Sequence, residues 1–227
     1  MISKIIDNIK TLIIALIIAV LIRSLLFQPF YIPSSSMEPT LLVGDRIFVS
    51  KYTYGYSKHS FPFSPPILSK RIFYSKPNYG DLIVFKTPAD NRTDFIKRLI
   101  GLPGDEIQII KGELFINKKK ISRTKIGDRS DIRCAGYEHE VFEFKEELPN
   151  QEIHAAVYKK EGSMLNTDVY IVPEKHYFFL GDNRDCSSDS RFLSNVGYVH
   201  ENNLVGKAKV IFFSNDTNKG SVLKFWN

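Results

Sequence analysis

A chain of 227 residues has room for one domain of ordinary size with a small appendage, and is far too long for a disulfide-stapled miniprotein. Its 43% hydrophobic and 25% charged residues are globular averages, which exclude wholesale disorder and leave space for at most one or two membrane spans. The 31 basic and 25 acidic side chains give a formal charge of +6, but the longest basic run, Lys118 to Lys120, reads as a solvated hairpin tip, so nucleic acid is not an expected partner.

Residues 1–10 carry Lys4, Asp7 and Lys10, and residues 11–27 are apolar apart from Thr11, Arg23 and Ser24. As a helix the second stretch is about 26 Å long, just short of a ~30 Å hydrocarbon core, and Ile5, Ile6 and Ile9 extend it inward. Arg23 lies near the outer end, where its long side chain can snorkel to the headgroups. A buried soluble helix and a cleaved signal peptide are the alternatives. The first seldom is apolar on every side, and Pro29 and Pro33 stand in the approach to the small residues that a cleavage site would need. The adopted reading is an uncleaved single-pass anchor in the inner (plasma) membrane. Lys4, Lys10 and the terminal amine against Asp7 favour a cytoplasmic amino terminus, which puts residues 28–227 on the outer, periplasmic side.

Beyond the anchor, short apolar runs punctuated by Gly, Pro, Asn and Asp predict strands over 46–52, 81–87, 95–100, 106–110, 113–116, 154–159, 169–171, 176–180 and 205–213. Lys111-Gly112 predicts a tight turn. The expected fold is mostly β, an antiparallel assembly coiled or partly closed into a barrel. Residues 52–77 mix seven aromatics with four prolines, which forbids a central strand. They read either as a loop packed on the sheet or as an interfacial flap. Residues 122–152 are charged and read as an irregular surface insertion.

His59, His139, His154, His176 and His200 show no metal-ligand spacing, and there is no phosphate-cradling glycine loop, so neither a metal nor a cofactor is expected. Cys134 and Cys186 could pair in an exported domain, but the sequence does not give their distance, and two free thiols are the preferred reading.

Three segments carry chemistry. In Pro33-Ser34-Ser35-Ser36-Met37-Glu38-Pro39-Thr40, the prolines stiffen the chain on either side of Ser36 and aim its hydroxyl, which still needs a base to become a nucleophile. In Phe95-Ile96-Lys97-Arg98-Leu99-Ile100, strand alternation sets one cation between two apolar neighbours on each face. Either both cations snorkel from an edge strand, or Lys97 is desolvated. Lowering its pKa from ~10.4 towards ~8 would make it a neutral amine able to accept the Ser36 proton. Arg98 stays charged and cannot do this. Finally, residues 181–191 hold three Asp, two Arg, one Asn and three Ser. They form either a self-bonded polar loop or a support that orients the lysine.

Together these segments resemble the type I signal peptidases, or leader peptidases, which are membrane-anchored Ser/Lys proteases. The match begins at Arg23-Ser24, takes in the serine segment and Gly80-Asp81-Leu82-Ile83-Val84-Phe85, and closes on Gly181-Asp182-Asn183-Arg184-Asp185. The resemblance implies Ser36 as nucleophile and Lys97 as general base, with the Ser34 hydroxyl joining the Ser36 amide at the oxyanion. It implies a Ser187 hydroxyl bonded to the lysine amine, and Asp189 with Arg191 as a supporting pair. Phe30, Ile32, Phe95 and Ile96 would line pockets for small residues of the substrate. The implied partners are signal-peptide-bearing preproteins and the lipid bilayer. Cys186 departs from the pattern, where Asn or a similar polar residue is expected. Rival readings are another Ser/Lys processing protease of related fold, such as a self-cleaving repressor or a pilus-processing enzyme, and a non-enzymatic membrane-anchored binding module.

Overall fold

No Gly or Pro interrupts the chain before Pro29, and nothing stops the amino-terminal residues from forming one continuous helix. In the computed structural model, which describes residues 2–214 and 224–225, α1 runs over Ile2–Leu25. Lys4 to Arg23 are exposed and only Ser24, at the start of the domain, is buried, which removes the reading as a buried soluble helix. The helix therefore begins before the expected 11–27 and ends sooner. Pro29 disfavours helical backbone in the residue before it, and Phe27 already opens the first strand.

The strands in chain order are β1 (Phe27–Tyr31), β2 (Arg46–Ser50), β3 (Leu82–Lys86), β4 (Asp94–Gly101) and β5 (Glu106–Ile110). Next come β6 (Glu113–Ile116), β7 (Lys119–Lys120), β8 (Ser122–Cys134), β9 (Tyr137–Glu147) and β10 (Ile153–Lys159). The last are β11 (Tyr170–Ile171), β12 (His176–Leu180), β13 (Val199–His200), β14 (Leu204–Phe213) and β15 (Lys224–Phe225). The fold is mostly β. The main sheet has the order β1-β2-β14-β3-β4-β12-β13, with β15 also on β14, and its named strands pair antiparallel. Register shifts in β14 against both neighbours bend that strand, and the sheet curls into a half-barrel. Lys111 and Gly112 both take positive φ in the turn between β5 and β6, and without a Cβ Gly112 adopts it freely.

Three apolar clusters fill the curl. Ile32, Met37, Leu41 and Val84 pack at the end near β1, Phe85, Leu99 and Phe179 in the centre, and Ile107, Leu114 and Phe178 at the far end. β4 lies between β3 and β12, so it is an interior strand with no free edge for snorkelling.

Residues 52–77 form no strand, only two short 3-10 turns, Tyr52–Tyr54 and Lys58–Ser60. Tyr54 is buried and donates to Asp81 Oδ2 at 2.7 Å, whereas Phe63 and Phe73 stand exposed. The irregular insertion expected over 122–152 is instead a long β8–β9 hairpin continued by β10 in a three-stranded sheet. Most of the hairpin is solvated on both faces, so no apolar alternation marks it. Cross-strand contacts such as Lys125 over Phe142 and Arg123 over Phe144 hold it.

Candidate active site

The chain leaves β1 through Ile32 and Pro33 and turns in a 3-10 helix, Ser35–Met37, which carries Ser36 into the curl of the main sheet. Met37 anchors that turn in the first apolar cluster. Lys97 enters from β4. Its Nζ lies 2.5 Å from Ser36 Oγ, and Lys97 and Ser36 are only 4% and 7% exposed. Burial pushes the lysine down to about 8, against the opposing pull of Asp189 and Asp182. Arg191 pushes in the same direction as burial. Ser34 Oγ stands 3.4 Å from Ser36 Oγ.

Arg98, the second cation of β4, turns to a different partner. Its Nε and Nη2 donate to the two oxygens of Asp182 at 2.7 and 2.6 Å, and Thr40 Oγ1 donates to the same carboxylate at 2.5 Å. Burial alone would raise Asp182, but the Arg98 charge and hydrogen bonds outweigh it and hold the carboxyl below its usual range. The serine turn, β4 and the start of the 181–191 loop are thus joined at one buried ion pair.

That loop is held from two further sides. Arg191 makes a paired contact with Asp189, whose second oxygen also accepts from the Gly181 amide at 3.0 Å. Arg184 grips both oxygens of Glu146 on β9, and Tyr158 of β10 donates to Glu146 Oε1 at 2.5 Å. Asn183 closes the frame. Its amide donates to the Ser36 carbonyl at 3.1 Å, and its side chain donates to the Ser35 and Arg133 carbonyls.

Ser187 is buried beside this frame, but its Oγ has no hydrogen-bond partner, so the expected bond to the Lys97 amine is not formed. The same oxygen crowds Gly181. A Cβ there would lie 2.3 Å from Ser187 Oγ and 2.5 Å from the Ser36 carbonyl oxygen. Cys134 and Cys186 are joined in a disulfide, correcting the preference for free thiols. The bridge ties the tip of the β8–β9 hairpin to the loop just before Ser187, and the Arg133 amide next to it donates to Glu38 Oε2 at 2.8 Å. Burial raises the Glu38 carboxyl, with the Arg133 contacts opposing.

A cleft of about 410 Å³ opens onto Ser36 and Lys97. Phe30, Ile32, Phe95 and Ile96 all line it, and Cys186 and Ser188 form its far wall. Arranged this way, the serine hydroxyl has a buried amine of lowered pKa within hydrogen-bond reach and an apolar groove at its mouth, an arrangement with the chemistry for attack on an extended chain. Asp182 and Thr40 lie in segments the sequence singles out but without a partner there, and Glu146 and Tyr158 carry no sequence signal, because each meets its arginine or hydroxyl partner only across distant strands.

Residues 5–213 match the family described as Signal peptidase, peptidase S26. A protein named Signal peptidase I from Rickettsia conorii is 46% identical over 208 residues, covering 87% of this chain and 75% of that one. Its counterpart from Rickettsia akari is 45% identical over 212 residues, covering 88% and 77%. A crystal structure of a signal peptidase I from Enterococcus faecalis is 26% identical and covers 59% of this chain and 97% of its own, with a TM-score of 0.35.

Proposed function

Because this chain belongs to the signal peptidase family, peptidase S26, we propose that it removes signal peptides from exported preproteins at the outer face of a membrane, using Ser36 and Lys97 as a dyad. Family membership makes it a peptidase and sets aside the non-enzymatic binding module. The observation carrying the finer reading is the 2.5 Å approach of the buried Lys97 amine to Ser36 Oγ.

In the proposed reaction, neutral Lys97 takes the hydroxyl proton as Ser36 Oγ attacks the carbonyl that follows a small residue. The Ser34 hydroxyl and Ser36 amide stabilise the oxyanion. Protonated Lys97 then returns the proton to the leaving amine, and water, activated by the same amine, releases the acyl group from Ser36. Phe30, Ile32, Phe95 and Ile96 make the groove narrow and apolar, which favours Ala, Gly or Ser on either side of one unconstrained position. The exposed apolar α1 supports anchoring in a bilayer, with the amino terminus inside and the β-rich part outside. Ser36 would then sit close to the lipid surface where a signal peptide's apolar segment ends.

The test is the pH dependence of cleavage of a signal-peptide-bearing precursor by the purified full-length chain. Only the neutral amine is a base, so kcat/KM should rise about tenfold per pH unit and level off above about 8. A flat profile from pH 6 to 9 with chemistry rate-limiting would remove Lys97 as base. Gly181→Ala probes the support of the nucleophile. With no room for a Cβ against the Ser36 carbonyl, it should lower kcat/KM about 10²-fold, since a misplacement near 1 Å costs that much. Unchanged kinetics would mean that the loop does not position Ser36.

A further inference from the structure

A second cleft, of about 490 Å³, opens where the outer end of α1 meets the 52–77 segment and the turn between β3 and β4. Arg23, Lys58, Lys86 and Arg92 line it, against Asp90 and Asp94. Both carboxylates are already engaged. Asp94 pairs with Lys86 at 2.8 Å, and Asp90 accepts from Thr87 Oγ1 and the Arg92 and Thr93 amides at 2.6, 2.8 and 3.0 Å. Arg23, Lys58 and Arg92 are left without a carboxylate partner among the described residues.

Two buried groups in or behind the wall point the same way. His59 is 4% exposed; its Nδ1 meets Ser64 Oγ at 2.8 Å, while its Nε2 is buried and has no partner. When the Ser64 hydroxyl donates to Nδ1, the neutral ring carries its proton on Nε2, a buried donor of a residue that lines the cleft. Behind it, Lys51 donates to Gln28 Oε1 at 3.0 Å and the His59 carbonyl at 3.3 Å, with no carboxylate in contact. Burial pushes Lys51 down to about 8, and the fields of Lys86, Arg23 and Arg71 add to it, with Asp94 opposing. The region carries surplus positive potential and an unused donor.

We propose that this cleft binds a phosphate group, supplied by an anionic phospholipid headgroup or by phosphate in solution, through Arg23, Lys58, Arg92 and His59 Nε2. The lipid source fits the position. Arg23 belongs to the last turn of α1, and fully exposed Phe63 flanks the opening as an apolar contact for the membrane interface. This placement at headgroup depth rests on the proposed anchoring, whereas binding itself depends on neither anchoring nor cleavage. The cleft also shares Phe30 and Asp94 with the one at Ser36, so a bound headgroup would lie beside the groove for the scissile segment.

The experiment measures the thermal midpoint of the full-length chain in a neutral detergent, with added short-chain phosphatidylglycerol, short-chain phosphatidylcholine or inorganic phosphate. Phosphatidylglycerol should raise the midpoint saturably and phosphatidylcholine should not. Lys58→Gln and Arg92→Gln should each weaken the apparent affinity about fivefold, while Lys118→Gln, at the distant hairpin tip, leaves it unchanged. A matching response to inorganic phosphate, lost in the same two variants, keeps the site and assigns its ligand to solution. Equal shifts with phosphatidylcholine, no shift with any phosphate compound, or shifts indifferent to Lys58 and Arg92 would overturn the proposal. Cleavage of precursor is read separately, so failure here leaves the dyad untouched.

Discussion

Replacing Ser36 with Ala or Lys97 with Met is expected to lower kcat/KM for a precursor by on the order of 10⁴-fold or more, because each removes one half of the proposed dyad. The two variants should part company in stability. The Lys97 ammonium is buried against Ser36 with no carboxylate in contact, and burial lowers it from 10.5 to about 8. At 1.36 kcal/mol per unit, protonated Lys97 therefore costs the fold about 3 kcal/mol near pH 7. The unfolded chain binds the extra proton between pH 8 and 10.5, so stability of the native protein rises with pH across that window. Lys97→Met removes the cost. It should melt roughly 6–12 °C higher at pH 7, an advantage that shrinks towards pH 10. Denaturation curves at the two pH values check this, and an advantage independent of pH would show that Lys97 is not held as a desolvated amine.

Asp182→Asn is expected to have the opposite effect on stability. The substitution preserves shape but leaves the Arg98 guanidinium buried without a counter-charge, and breaking such a pair from one side costs roughly 3–5 kcal/mol, or about 6–20 °C in midpoint. The double variant Arg98→Met, Asp182→Leu should recover most of that loss, since an apolar pair of similar volume needs no compensation. Cleavage should fall in the single variant as well. Asp182 precedes Asn183, whose amide holds the Ser36 carbonyl, and it also holds Thr40 beyond the serine turn. A single variant that melts within 1 °C of the parent, as read by calorimetry, would show that the pair is solvated and energetically idle.

The apolar helix, the β class and the Ser36 and Lys97 segments were legible residue by residue, because each depends on neighbours in the chain. A long run without Gly or Pro makes a helix, alternation makes strands, and two prolines flank one serine. β1 was not read from the sequence, since Pro29 sits at its centre and only an edge position tolerates that. The β8–β9 hairpin stayed hidden because charged residues on both faces erase the period of two. Cys134 and Cys186, 52 residues apart, offered no distance until the hairpin tip was placed over the 181–191 loop.

By itself, the order of residues determined which groups have the chemistry to act: a hydroxyl between rigid flanks, an amine among apolar neighbours, an apolar segment long enough for a bilayer. Only the tertiary structure decided that β4 is an interior strand, that Lys97 is dry while Arg98 finds Asp182, and that Ser187 lies close by without bonding the amine. Hydration explains the division. A side chain's intrinsic chemistry is local, but its charge state depends on which distant strands exclude water from it.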